Sequence, residues 1–269
     1  YSTYGDTAIL EEAWPYMTAW ISYYENTKAG SDYICDFDTY GDWLAIGEST
    51  DALYSSTCFY AYITGLMTKM ATALAFDILP SEQLRQKAAD NLVARIEAKG
   101  WHLSGGFIGI ENLLPVLTKY GYNEVAYKLL LTETYPSWLY SVVNGATTMW
   151  ERWNSYVAET DTFGDVSMNS FNHYSFGSVG AWMYQYAGGI QYDWQNPGYK
   201  HFTIAPNPST QLNQFKTEYE SVYGRIVSDW VLNDGTYKLN VTVPANTTAT
   251  VVIPSDVESA LTVDGQAVT

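Results

Sequence analysis

The sequence predicts a mainly α chain that ends in a smaller, all-β domain. Three observations predict it. Through the first two-thirds of the 269 residues, apolar side chains recur at the three- and four-residue spacing of helices. From about residue 196 they alternate at period two, with Thr, Val and Tyr dominant. Helices and strands do not interleave, which argues for two packed domains, 1–195 and 196–269, and against a doubly wound parallel sheet.

The elements follow in order. Over 7–27, Ile9, Leu10, Ala13, Trp14, Met17, Trp20, Ile21 and Tyr24 form the apolar stripe of a long helix. The stretch 49–80 opens on Ser-Thr-Asp, closes at Pro80 and is apolar on nearly all faces, the pattern of a deeply buried helix. Residues 81–100 have Ser81 as N-cap, Gly100 just past the end and alternating charges on one face. Shorter helices are predicted over 109–120, over 122–133 (stopped by Tyr135-Pro136) and over 173–188 (closed by Gly188-Gly189). The Gly- and aromatic-rich stretches 28–48, 100–108 and 134–172 read as loops. Beyond the linker "DWQNPG" (193–198), Asn-Asp-Gly and Asp-Gly turns between alternating runs predict a small antiparallel sandwich.

Composition narrows the function. Hydrophobic residues make up 47%, enough for a substantial core, and aromatic residues alone 16%. Aromatic faces stack on bases and on the C–H faces of sugars as well as filling cores. A net charge of −16 separates these uses, because it repels a phosphate backbone and an anionic membrane surface. A neutral polyol or glycoside is compatible with it. No run of about 18 apolar residues is present. Cys35 and Cys58 have no zinc-site spacing; they read as two buried thiols or as one disulfide. No EF-hand-like loop occurs, and neither a metal nor a cofactor is expected. The opening "YSTYGDTAIL" lacks the basic and apolar regions of a signal peptide and reads like the middle of a domain; no compartment follows from it.

Two segments carry chemistry. "GATTMWERW" (145–153) sets Glu151 and Arg152 between Trp150 and Trp153, and "SMNSFNHYSFG" (167–177) threads Asn169, Asn172 and His173 through aromatic rings. A carboxylate that deprotonates water on one face of a sugar, with stacking side chains fixing the ring, is what glycoside hydrolysis needs. A neighbouring guanidinium would support such a carboxylate if the two side chains approach. By themselves these residues equally fit a half-buried structural ion pair and a hydrogen-bonded core histidine.

Taken together, the motifs carry more. "YGDTAILEEAWPYMTAWISYY", "YGDWLA", "HLSGGFIGIENLLPVLTKYGYNEVAYKLL", "YPSWLYSVVNGATTMWERW", "SMNSFNHYSFGSVGAWMYQYAGGI", "GYKHFTIAPNP", "YGRIVSDW" and "VPANTTATVVIP" resemble, in that order, the second half of the bacterial α-L-rhamnosidases of glycoside hydrolase family 78. The resemblance implies a six-hairpin (α/α)6 barrel followed by a C-terminal antiparallel β-sandwich, and inverting hydrolysis of terminal α-L-rhamnosides. It makes Glu151 the general base, His173 a residue lining the rhamnose pocket and Trp43 a ring that contacts the sugar. Asp42, Asn172, Trp150 and Trp153 complete the set of substrate-binding candidates, the tryptophans as walls. The expected partner is a rhamnose-containing glycoside, with no nucleic acid and no membrane.

The sequence also departs from the family pattern. The family's general acid lies in an Asp-x-x-x-Arg-x-Glu-Arg-like segment that this sequence does not contain. A closed barrel takes twelve helices, and about six are found. The run "LMTKMATALAFDILP" reads as two family helices joined directly near Met70–Ala75. An incomplete barrel is therefore expected over 1–195, with the N-terminal half of the barrel missing. A non-catalytic sugar-binding remnant and another six-hairpin glycosidase are the competing readings. On the leading one, residues 1–269 alone are expected not to hydrolyse an activated aryl α-L-rhamnoside in a release assay. Turnover comparable with intact family members would require a second carboxylate within the chain, Asp42 being the first to test.

Overall fold

The structure, a computed structural model, describes residues 3–4, 6–23, 82–103, 106–254 and 262–267. The helix expected over 49–80, both cysteines, Asp42 and Trp43 lie outside the described residues. Helix α1 spans Ala8–Tyr23, and Asp6 accepts the Ala8 N–H at its start. None of its residues is buried, and Ile9 and Tyr16 stay largely exposed. The stripe expected to be buried is present in the helix, but an amphipathic pattern says which face seeks cover and not what covers it. Helix α2 (Glu82–Ala98) ends where Gly100 takes a left-handed φ of 67° and Trp101 N–H returns to Ile96 O at 2.9 Å.

Helices α3 (Phe107–Lys119) and α4 (Asn123–Leu131) form a hairpin through Gly121. The buried face of α3 is Ile110, Leu114 and Leu117, at the spacing that one helix side requires. Ala126, Tyr127, Leu129 and Leu130 of α4 meet it in one apolar cluster. A short helix that the loop assignment of 134–172 omits, α5 (Trp138–Val143), is started by Ser137, whose hydroxyl accepts the Tyr140 N–H at 3.0 Å. The segment predicted as one helix over 173–188 is helical but changes pitch. It runs from a 3-10 turn (Ser175–Ser178) through α6 (Val179–Trp182) to a π turn (Met183–Ala187). Each buried tryptophan of this region for which a donor bond is described has an acceptor for its N–H: Trp138 gives to Phe176 O at 2.9 Å and Trp182 to Thr118 Oγ1 at 2.8 Å.

A two-residue hairpin, β1 (Tyr156–Val157) and β2 (Thr162–Phe163), precedes that segment. The C-terminal part holds β3 (Ile190–Tyr192), β4 (His201–Ile204), β5 (Gln214–Ser221), β6 (Gly224–Asn233), β7 (Thr236–Thr242) and β8 (Thr248–Val251), with a small hairpin of β9 (Thr262–Val263) and β10 (Gln266–Ala267). Two three-stranded sheets result, ordered β3-β4-β8 and β5-β6-β7. In these two sheets pairing starts at Ile190, on the N-terminal side of the 193–198 stretch. All described pairings are antiparallel except β4 with β8, which run parallel because the whole second sheet is inserted between them. Asp234-Gly235 and Asp264-Gly265 take the positive φ values of the tight turns that the sequence signals.

The inner face of β6 alternates as expected, with Ile226, Ser228 and Trp230 all fully buried. It serves both domains. Ile226 packs with Ile190, Phe202 and Ile204 of the first sheet and with Tyr199 of the turn between β3 and β4, while Trp230 belongs to the helical cluster and donates its N–H to Ala187 O at 2.8 Å. The chain passes between the domains at Gly188-Gly189, where space is the deciding constraint. A Cβ on Gly188 would lie 1.9 Å from Thr217 Oγ1, and one on Gly189, whose φ is 76°, would lie 2.1 Å from Pro206 N.

Gly235 has nearly the same φ, 75°, with nothing within 4 Å of its Cβ position, and so supplies a control. Gly235→Ala is expected to cost about 1–2 kcal/mol of left-handed strain. Gly189→Ala is expected to cost at least ~2 kcal/mol more in denaturant unfolding, because backbone on both sides must shift. Equal losses for the two variants would show that packing at the domain junction does not require the glycine.

Candidate active site

The two segments singled out in the sequence lie side by side. Residues 148–151 and 170–173 are joined by a short ladder. Glu151 N–H donates to Ser170 O at 2.8 Å, His173 N–H to Met149 O at 2.8 Å, and the Thr148 hydroxyl to Phe171 O. The ladder closes on the acid itself, because Ser170 N–H donates to Glu151 Oε2 at 2.7 Å. Glu151 and Ser170 therefore hold each other twice, once through main chain only and once through the carboxylate. Glu151 is 9% exposed. A carboxylate at that depth needs a hydrogen-bond partner, and the main-chain N–H is one that cannot rotate away.

Arg152 turns elsewhere. Among the described residues it makes no ion pair with Glu151; its guanidinium donates to Met168 O at 3.4 Å. Its field falls on Asp165. That carboxyl is held below its usual range first by the Ser167 hydroxyl, then by the Ser167 N–H, with Arg152 adding to both. Below the ladder, Ser155 is fully buried and ties three strands of chain together. Its hydroxyl accepts Arg152 N–H, and its carbonyl accepts both Gly164 N–H and the Asn169 amide.

His173 is half-buried and its ring lies parallel to two others. Phe107, the first residue of α3, stacks at 5.0 Å and 16°, and the exposed Tyr174 at 5.5 Å and 3°. Ser175 N–H donates to Nδ1 at 3.3 Å, which fixes the ring's rotation. The predicted tryptophans separate in role. Trp153, 5% exposed, stacks on Phe176 at 3.9 Å inside the helical cluster. Trp150, 6% exposed, meets Phe171 edge-on at 5.4 Å and lines a cleft outside the ladder. Asn172 is exposed, one residue from His173, and its N–H is taken by the Ser170 hydroxyl at 3.1 Å.

The structure thus brings Glu151, His173, Asn172 and Trp150 to one ladder. It adds two residues that sequence reasoning missed, Ser170 as the holder of the carboxylate and Phe107 as the platform under His173. The only signal for Phe107 was its position after "SGG" at a helix start, and for Ser170 there was none. Among the described residues, no group of three His, Cys, Asp or Glu is placed to hold a metal ion, and no helix is long and apolar enough to cross a membrane.

Comparison with known proteins agrees in both sequence and shape. An α-L-rhamnosidase of Streptomyces avermitilis is 37% identical over 95% of this chain, which covers 28% of that protein. One of Formosa agariphila is 33% identical over 97% of the chain, covering 33% of its length. The chain spans about a third of the length of such relatives. The crystal structure of the Streptomyces avermitilis α-L-rhamnosidase complexed with L-rhamnose superposes with a TM-score of 0.82, at 33% identity, over 99% of this chain and 30% of that one. The family model of the bacterial α-L-rhamnosidase six-hairpin glycosidase domain matches residues 1–75 and 68–187, two stretches that overlap over 68–75. The model of the C-terminal domain of the same enzymes follows over 189–267. By both domain matches, the chain belongs to the bacterial α-L-rhamnosidase family.

Proposed function

We propose that this chain works in the hydrolysis of terminal α-L-rhamnosides with inversion at the anomeric carbon, and that Glu151 is the base that activates the attacking water. The observation that carries the reading is the double hold between Glu151 and Ser170. An inverting hydrolase needs a carboxylate fixed on the face opposite the leaving group, at about 6.5–9.5 Å from the acid, so that one water fits between. With Oε2 held by a main-chain N–H, Oε1 is the oxygen that receives the water's proton as its oxygen attacks the anomeric carbon. The aglycone oxygen takes a proton from an acid supplied outside these 269 residues, and the bond to it breaks. Charge and atoms balance: one water is consumed, and one rhamnose and one free aglycone leave.

In the same reading His173, held in rotation by Ser175 and stacked on Phe107, presents Nε2 to a sugar hydroxyl. Asn172, Asp42 and Trp43 contact the rhamnosyl ring and Trp150 flanks the site, while Trp153, packed on Phe176 in the helical core, supports it from behind. The C6 methyl of rhamnose suits aromatic walls, although a hydrophobic wall alone rejects an added hydroxyl only modestly.

Two substitutions test the assignment, both assayed in the intact enzyme that carries this chain. Glu151→Gln keeps the shape and the Ser170 contact. It is expected to lower kcat by about 10²–10⁴-fold while leaving inhibitor binding within a few fold. A loss under about threefold would remove Glu151 from proton transfer. Trp43→Ala is expected to weaken a rhamnose-type inhibitor by about 1–3 kcal/mol, the range for lost stacking and burial. Unchanged affinity in a folded variant would make Trp43 a structural residue.

A further inference from the structure

Between the two segments of the ladder the chain makes an excursion, residues 152–169, that contains the β1–β2 hairpin. Ser155 ties its two ends to each other. The Ser155 N–H donates to Arg152 O at 3.2 Å, and the Arg152 N–H donates back to the Ser155 hydroxyl at 3.2 Å. From the far end, the Asn169 amide donates to Ser155 O at 2.9 Å. The same carbonyl accepts Gly164 N–H at 3.1 Å. A Cβ on Gly164 would lie 2.5 Å from Asn154 O, so the return limb of the hairpin is pressed against its base. Arg152 is bonded covalently to Glu151, and Asn169 to Ser170. A closed circuit results, from Glu151 through Arg152, Ser155, Asn169 and Ser170 back to the Glu151 carboxylate.

The circuit supplies a constraint that the ladder lacks. Bonds between two segments leave them free to pivot about the line of those bonds, and an attachment off that line removes the pivot. Oε2 of Glu151 follows the Ser170 N–H, so a pivot would turn Oε1 away from its water. Asn169 is also a costly residue if stability is its only role. Its Oδ1 is buried and meets no hydrogen-bond partner among the described residues, and the same holds for Arg152 Nε. Half-satisfied polar groups at such depth are worse for stability than apolar side chains of the same shape. Ser155 is fully buried, out of a substrate's reach. What these residues provide is the position of the segments on either side of the acid.

We propose that Ser155 and Asn169 are positioning residues for Glu151, closing the circuit that aims its carboxylate at the water. The proposal rests on the hydrolase reading, and it requires both residues to act through Glu151 alone, which a double-mutant comparison reads directly. The test uses the intact enzyme that carries this chain, with an activated aryl α-L-rhamnoside. Asn169→Asp keeps the volume but sets an acceptor in place of the donor to Ser155 O. It should lower kcat about ten- to hundredfold, the scale for a group misplaced by a change away from the chemistry, with KM within about threefold. Ser155→Ala removes only the hydroxyl and should lower kcat at least about threefold. It carries the test if Asn169→Asp does not fold. In the Glu151→Gln background each substitution should change the remaining rate by less than about twofold, because the group they position is gone. A merely structural role would lower the rate by the same factor in both backgrounds. The proposal is overturned by such equal losses, by losses under about threefold in both single variants, or by a loss that falls on KM and not on kcat. A Glu151→Gln enzyme within about threefold of the parent would remove Glu151 as the base, and this proposal with it, so the two failures are told apart.

Discussion

Everything proposed for this protein depends on one pair of hydrogen bonds, those between Glu151 and Ser170. A nearly buried carboxylate is costly unless its charge is met. The neighbour in sequence, Arg152, faces the hairpin side and leaves that task to a main-chain N–H. The substitution has a consequence for chemistry. A guanidinium on a flexible stem can swing, whereas an N–H in a ladder is set by the backbone on both sides, so the donor is held in place. The precision of the acid is then the precision of the 148–151 and 170–173 segments, and through Ser155 and Asn169 of the β1–β2 hairpin between them.

That ladder is itself held from behind. His173 is stacked on the first residue of α3, and Phe176 is pressed between Phe107, Trp153 and the Trp138 N–H. The aromatic richness of the chain therefore has more than one use within a short distance. Trp138 and Trp153 are core, filling volume; Phe107 orients a polar ring; Phe163 and Phe171 stay at a surface, with the buried Trp150 behind Phe171. Burial and hydrogen bonding separate these roles where residue type does not.

The β domain is tied to the helical one by small residues and by one large one. Gly188 and Gly189 let β3 leave the π turn within contact of Thr217 and Pro206, and Trp230 crosses from the sheet into the helical cluster to reach Ala187. Further on, Glu124 at the start of α4 accepts from Ser209 and Gln211, and the Tyr127 hydroxyl donates to Asn207 O. The sheet face that carries Trp230 at one end and Ile226 at the other is shared, so the sandwich and the helical layer cannot be repacked independently.

The sequence by itself determined the elements with long, regular patterns. The helices around Leu114 and Tyr127, the alternation along β6 and the Asp-Gly turns were legible because hydrophobic period and turn chemistry act over a few residues. It also marked Glu151 and His173, because an acid and an imidazole set among aromatic rings form a rare local pattern. Only the tertiary structure decided what those residues touch. Helix α5 is too short for a periodic signal, and its start rests on the single Ser137 cap. The parallel pairing of β4 with β8, the turning of Arg152 away from Glu151, the hold by Ser170 and the tie between Ser155 and Asn169 all depend on residues far apart in the chain. A pattern along the sequence records which side chains seek burial or a partner. Which partner each one meets is settled by packing many segments at once, and that information is not local to any of them.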